Sequence, residues 1–174
     1  TLNILSSSIT NNIGGVVGGG IFVTDAGPPP AAGARSTVNL TNTTISSNTA
    51  NNGGGGLALQ GGLIGANLNY VTIAGNSAEG GGGILLAASG TVNIKNSIVG
   101  DNTGGTTPDI SGSIVSGDYN HFESLSGATI SGTTTHNADG DALLGPLVEH
   151  VGGTVHMPGT TSPVLNSIPS GIND

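Results

Sequence analysis

Four stretches of this 174-residue chain superpose without a gap: Leu2–Asn12 (LNILSSSITNN), Val38–Asn48 (VNLTNTTISSN), Ala66–Asn76 (ANLNYVTIAGN) and Val92–Asn102 (VNIKNSIVGDN). Asn fills the second position of all four, at Asn3, Asn39, Asn67 and Asn93, and the last position of all four, at Asn12, Asn48, Asn76 and Asn102. The third position is always Ile or Leu (Ile4, Leu40, Leu68, Ile94) and the eighth is β-branched (Ile9, Ile45, Ile73, Val99). A repeat with two polar and two apolar columns fixed in place admits few folds. The Ser and Thr residues between the columns suit a pleated strand and disfavour a helix interior, so each unit reads as strand.

Glycine runs follow the first three units: Gly18–Gly20 before Ile21 and Phe22, Gly53–Gly56 before Leu57 and Leu59, and Gly80–Gly83 before Ile84–Leu86. Glycine admits positive φ and close backbone approach, which makes these runs corners between two strands of one coil. Parallel pairing places equivalent residues of successive coils about 4.8 Å apart, so like side chains stack into ladders. Asn suits a ladder because its amide both donates and accepts, and because it tolerates the left-handed backbone of a turn. The expected fold is all-β, a right-handed single-stranded parallel β-helix (β-solenoid), with the eight asparagines as structural ladder residues. One domain over residues 1–174 is expected. Residues 1–103 form regular Asn-ladder coils with a Pro-rich loop at 25–35, and 104–174 form less regular rungs and a closing segment. The third coil, free of insertions, should be the most regular.

Composition bounds the chemistry. Net charge is −8, from ten acids against Arg35 and Lys95 alone. Nothing here neutralises a phosphate backbone, so nucleic acid is excluded as a partner. The absence of cysteine removes disulfides and thiolate metal sites. No stretch approaches the roughly 18–20 apolar residues of a membrane span, so no membrane insertion is expected.

The C-terminal third, read with the repeats, carries Asn96-Ser97-Ile98-Val99-Gly100, Pro108-Asp109-Ile110-Ser111-Gly112, Gly117-Asp118-Tyr119-Asn120, Leu143-Leu144-Gly145-Pro146-Leu147, Gly152-Gly153-Thr154-Val155-His156 and Met157-Pro158-Gly159-Thr160-Thr161-Ser162-Pro163-Val164. In order and spacing this resembles the bacterial extracellular proteins whose right-handed β-helix repeats end in a choice-of-anchor region. The chain departs from them at Ile110, where Cys often follows Pro-Asp, and at Leu165-Asn166-Ser167-Ile168, where an Ile-Asp-Ala-Gly run usually closes the pattern. The resemblance implies a secreted or cell-surface β-helix and carries no general catalytic residue set.

Candidate chemistry is sparse. A polysaccharide lyase needs a calcium-binding carboxylate cluster and a base, and a hydrolase needs paired acids at a defined separation. Arg35, at the end of a Pro-rich loop, and Lys95, on an alternating strand, read as solvated charges. The densest acidic group, Asn137-Ala138-Asp139-Gly140-Asp141, partly matches an oxygen-rich calcium loop but lacks the downstream bidentate Glu. Asn137, Asp139 and Asp141 are therefore weak metal candidates, with calcium the one cofactor left open. The histidines His121, His136, His150 and His156 all fall in the last third, where zinc is less expected than ordinary turn positions. The column Ser7, Thr43, Val71, Ser97 is too irregular for a flat hydroxyl array.

No catalytic residue is expected. The sequence reads as a structural or adhesive extracellular solenoid, self-associating through its ends and stacking head to tail into filaments. That expectation rests on a first coil in register from Thr1, since an uncapped solenoid end exposes backbone groups and core. The alternative is a carbohydrate-binding or polysaccharide-degrading β-helix. It has only Phe22, Tyr70, Tyr119 and Phe122 to stack on sugars.

Overall fold

The computed structural model describes residues 1–24 and 36–169; the Pro-rich segment ending in Arg35 lies outside the described residues. Every regular element described is a β-strand, and no helix is long and apolar enough to cross a membrane. Thirteen strands join in one sheet system and two form a separate hairpin.

The chain runs in layers. The first holds β1 (Leu2–Leu5), β2 (Ser8–Thr10) and β3 (Ile21–Thr24), the second β4 (Ser36–Ser46) and β5 (Leu57–Gly61), and the third β6 (Ile64–Ala74) and β7 (Ile84–Ala88). The fourth holds β8 (Thr91–Lys95), β9 (Ile98–Gly100) and the start of β10 (Ile110–Gly117). Each layer pairs in parallel with the next, and the columns inferred from sequence are the pairing register. Asn3 lies beside Asn39, Asn39 beside Asn67 and Asn67 beside Asn93. Ile9, Ile45, Ile73 and Val99 align likewise. The strands after the glycine corners form a further wall, aligning Ile21, Leu57, Ile84 and Ile110.

Side chains alternate across each strand, so every second column points inward. Val38, Ala66 and Val92 form one buried column, Leu40, Leu68 and Ile94 a second, and Ile45, Ile73 and Val99 a third; Leu57 and Ile84 face them from the other wall. Full burial of each such side chain stabilises by about 1.5–3 kcal/mol, so a core of small aliphatic residues suffices without aromatic bulk.

Beyond the fourth layer the cross-section narrows. Along one corner column, Val71 and Ser97 are 26 residues apart, Ser97 and Asn120 are 23 apart, and Asn120 and Asn137 are 17 apart. The shortening reflects loss of the second wall, whose last pairing is Ile84 with Ile110 and Leu85 with Ser111. The later layers keep only the end of β10 with β11 (His121–Phe122), then β12 (Ala128–Thr133) with β13 (Ala138–Asp139). Here Ser116 replaces the aliphatic residue of the Leu40 column, opposite Ile94, while Phe122 stands beside Val99 and fills the space.

The closing segment is not another parallel rung. Strands β14 (Leu144–His150) and β15 (Gly153–Pro158) form an antiparallel hairpin whose tip turns at Val151–Gly152. The hairpin returns to the first layer, where Ser8 Oγ donates to the Thr154 carbonyl at 3.1 Å and accepts the Thr154 N–H at 2.9 Å.

Candidate functional site: the asparagine ladders and the open first layer

The two asparagine columns form two different ladders. The column at Asn12, Asn48, Asn76 and Asn102 is internal: Asn48 and Asn76 are fully buried. Each amide Nδ2 donates 2.9 Å to the Oδ1 of the following layer, from Asn12 to Asn48, Asn48 to Asn76 and Asn76 to Asn102. The same Oδ1 also accepts the backbone N–H of the preceding ladder residue at 3.0 Å. Asn76 Nδ2 further donates to the Ile45 and Ala74 carbonyls. Glycine makes room for this column, because a Cβ on Gly20, Gly56 or Gly83 would lie 3.0, 3.1 or 2.9 Å from the Nδ2 of Asn48, Asn76 or Asn102.

The ladder asparagines do not themselves supply the left-handed turn. That backbone belongs to the residue before each one: Asn11, Ser47, Gly75 and Asp101, with φ between 56° and 65°. A second left-handed column, Ser6, Asn42, Tyr70 and Asn96, makes the corner between the strands of each unit.

The internal ladder ends on a carboxylate. Asn102 Nδ2 donates to Asp109 Oδ1 at 2.8 Å, and Asp109 Oδ2 accepts the Ser124 N–H at 2.8 Å. An ionised carboxylate only accepts, so it closes a run of amides without needing a further acceptor. Asp109 is buried, and burial raises its pKa above the ordinary value despite the opposing hydrogen bonds from Asn102 and Ser124.

The outer ladder, Asn3, Asn39, Asn67 and Asn93, is exposed except at the partly buried Asn39 and runs the other way. Asn39 donates to Asn3, Asn67 to Asn39 and Asn93 to Asn67, at 2.7–2.8 Å. The opposite polarities leave a defined pattern at the first layer, where Asn3 Nδ2 and Asn12 Oδ1 have no partner among the described residues.

In the column set aside as irregular, Ser7, Thr43 and Ser97 each donate to a carbonyl of their own layer, at Leu5, Thr41 and Lys95, and a corner ladder between layers begins at Val71. Ser97 Oγ accepts the Val71 N–H, Asn120 Oδ1 accepts the Ser97 N–H, and Asn137 Oδ1 accepts the Asn120 N–H. Val71 carries no side-chain acceptor, so it joins this ladder only through its backbone N–H. Asn137 is thereby committed to the scaffold; it also donates to Ser116 Oγ at 2.9 Å.

The structure therefore separates Asn137, Asp139 and Asp141. Asp139 lies exposed on β13, and Asp141 instead converges with Asp101 and Glu123, their carboxylate oxygens within 4.8 Å of one another. Glu123 also accepts the Asp101 N–H. Burial, then Glu123 and Asp141, push the Asp101 carboxyl above its ordinary range, against a lowering influence from His156. The trio could supply three of the six to eight oxygens a calcium ion takes.

The histidines have separate duties. His136 Nδ1 sits 2.7 Å from Asp118 Oδ2, its N–H donates to Oδ1, and its ring stacks on Tyr119. Burial works against the Asp118 carboxylate, but these bonds outweigh it and hold its pKa below the ordinary value. His121 is buried, with Nε2 2.7 Å from the Gly140 carbonyl and Nδ1 unpartnered. His156 fastens the hairpin: Nδ1 donates to the Gly145 carbonyl and Nε2 shares a hydrogen bond with Ser46 Oγ, both at 2.7 Å. His150 lies exposed near the hairpin tip. Under that hairpin is a cleft of about 490 Å³, lined by hydroxyls that include Ser6, Ser8, Thr44 and Thr72 beside Tyr70. Lys95 is exposed at the end of β8.

The first layer differs from those that follow it. Leu2 is 52% exposed, whereas Val38, next in its inward column, is 1% exposed. Two of its outward columns are also apolar. Leu5 occupies the column that continues as Thr41, Asn69 and Lys95, and Ile13 the column that continues as Thr49, Ser77 and Thr103. Comparison with protein-family models, curated proteins and solved structures gave no match.

Proposed function

We propose that the chain is one right-handed, single-stranded parallel β-solenoid domain that serves as a structural or adhesive element at a cell surface. Right-handed winding is what a parallel strand-to-strand crossover adopts in nearly all proteins. The observation that carries the functional reading is that two outward columns turn apolar in the first layer, at Leu5 and Ile13, where the later layers place polar residues. Contiguous apolar surface rimmed by polar residues marks an interaction site. Surface placement is supported by the resemblance to extracellular repeat proteins. In this reading the protein self-associates through the exposed apolar surface at Leu5 and Ile13, and a head-to-tail arrangement of such contacts builds filaments. Sedimentation velocity and electron microscopy at high concentration test it, with Leu5→Glu and Ile13→Glu as controls that spare the core. Oligomers abolished by those substitutions support the reading; dispersed monomers at every concentration overturn self-assembly.

A second reading, carbohydrate binding, is favoured by the hydroxyl-lined cleft under the hairpin. Affinity electrophoresis in neutral and acidic polysaccharides tests it. Retardation lost on Thr72→Trp, which fills the cleft, would support it, and unretarded migration in every polysaccharide would reject it.

A further inference from the structure

We infer that the cleft under the hairpin is a subsite for a neutral saccharide, with Tyr70 as the platform on which a sugar ring stacks. The inference rests on the carbohydrate-binding reading above and names the ligand class and the residue that recognises it. Tyr70 stands out first through its backbone. It occupies the left-handed corner column whose other members are Ser6, Asn42 and Asn96, with φ of 55°. Asn tolerates that conformation through its short polar side chain. A bulky residue holds it only where the surrounding structure imposes it, and such positions gather at functional sites. The third layer thus gives up the small polar residue of its column, and the aromatic residue it gains lines the cleft. A tyrosine ring offers an apolar face to the C–H side of a sugar and a polar tip to its hydroxyls.

The rest of the lining fits an uncharged polyol. The volume of about 490 Å³ falls within the roughly 300–1,000 Å³ of small-molecule sites. No Lys, Arg, Asp or Glu lines the cleft, and its one imidazole, His156, has both nitrogens engaged, by the Gly145 carbonyl and by Ser46 Oγ. An acidic sugar would leave its charge uncompensated there, on a chain whose net charge is −8. Hydroxyls both donate and accept, so Thr44, Thr72 and Thr154 can meet sugar hydroxyls in either sense. Thr154 Oγ1 is moreover buried with no hydrogen-bond partner among the described residues, an unmet group that a ligand hydroxyl would satisfy.

Titration calorimetry of the full chain tests this, with cellohexaose, mannohexaose and N-acetylchitohexaose as neutral probes and hexagalacturonate as the acidic one. We expect saturable binding of at least one neutral probe and at least about tenfold weaker binding of hexagalacturonate. Tyr70→Asn should cut affinity at least about tenfold without lowering the melting temperature, since Asn occupies the same corner in two other layers. Tyr70→Phe keeps the ring and should change affinity by less than about threefold. Thr154→Val keeps the side-chain shape and removes the unmet hydroxyl; it should weaken binding at least about threefold with no loss of stability. Tighter binding of hexagalacturonate than of any neutral probe, or affinity unchanged by Tyr70→Asn or by Thr154→Val, overturns the inference and leaves the carbohydrate-binding reading in place. No binding of any saccharide overturns both.

Discussion

In the first four layers one amide per layer, Asn12, Asn48, Asn76 and Asn102, bonds to the next, buried from Asn48 onward, and the core between the walls is aliphatic. From Asp109 onward that arrangement stops. The second wall is gone, Ser116 takes the place of an aliphatic residue, and Asn120 and Asn137 converge on it: Asn120 Nδ2 donates to Ser116 Oγ at 3.0 Å and Asn137 Nδ2 at 2.9 Å. The comparison teaches that the internal ladder and the second wall depend on each other. The amides fill the space beside glycines that only the wide layers possess, and when the wall ends a carboxylate closes the run. The narrow layers satisfy their buried groups through a local polar knot instead.

The largest expected effect comes from breaking the internal ladder at its centre. Replacing Asn76 by Leu orphans the Asn48 N–H and removes one partner each from the Asn48 amide and the Ile45 carbonyl. At about 1–3 kcal/mol for the buried N–H left unmet, with a smaller loss from each weakened partner, the cost should be roughly 2–5 kcal/mol, read by urea unfolding. Asn67→Leu in the exposed outer ladder is the control and should cost less than about 1 kcal/mol, since water replaces the lost bond. Equal losses would erase the distinction between the ladders.

Leu68→Ala removes a buried side chain from the aliphatic column and should cost about 2–5 kcal/mol. Ile130→Ala in the narrow layers, where the side chain is only half-buried, should cost less than half as much in the same assay. Gly56→Ala would push a methyl group to 2.8 Å from the Gly83 carbonyl and 3.1 Å from Asn76 Nδ2. Overpacking of this kind should destabilise by about 1–3 kcal/mol, and a neutral result would show that the ladder yields easily.

The smallest expected effect is a gain. Asp101 is held above its ordinary value of 3.8 by burial and by Glu123 and Asp141. Its folded carboxyl therefore binds a proton more tightly than the unfolded one, and stability declines as pH rises from about 3.8 through the raised value. Asp101→Asn keeps a residue suited to the left-handed backbone and should remove that decline, stabilising at pH 7 by less than about 1 kcal/mol after solvent screening. The gain should vanish below pH 3.8. The buried Asp109, also raised, leaves a residual slope of the same sign, while Asp118, lowered, contributes stability that is lost as pH falls below its ordinary value.

The parallel layers and both ladders were legible in sequence because in-register stacking forces identical side chains into identical positions, and four copies expose the pattern. The terminator Asp109 was not legible. It is a different residue type seven positions past Asn102, reached through a corner that no other layer uses in that way. The corner column at Val71 was obscured because a backbone N–H needs no particular side chain. The turn residues were readable in principle, since Asn11, Ser47, Gly75 and Asp101 are all types that tolerate positive φ, but the regularity of the asparagine beside them drew the assignment one position too far. The acidic trio escaped because its members come from separate parts of the chain and meet only where the layers narrow. Nothing local in Thr154 foretells its bonds to Ser8, 146 residues away.

Native-state hydrogen exchange, resolved by residue, tests the contrast between the two regions most directly. The account predicts the slowest exchange at the backbone amides of Asn48 and Asn76 and along β4, β6 and β8, with β12 and β13 opening at much lower free energy. Slowest exchange in the narrow layers, or uniform protection throughout, would contradict it.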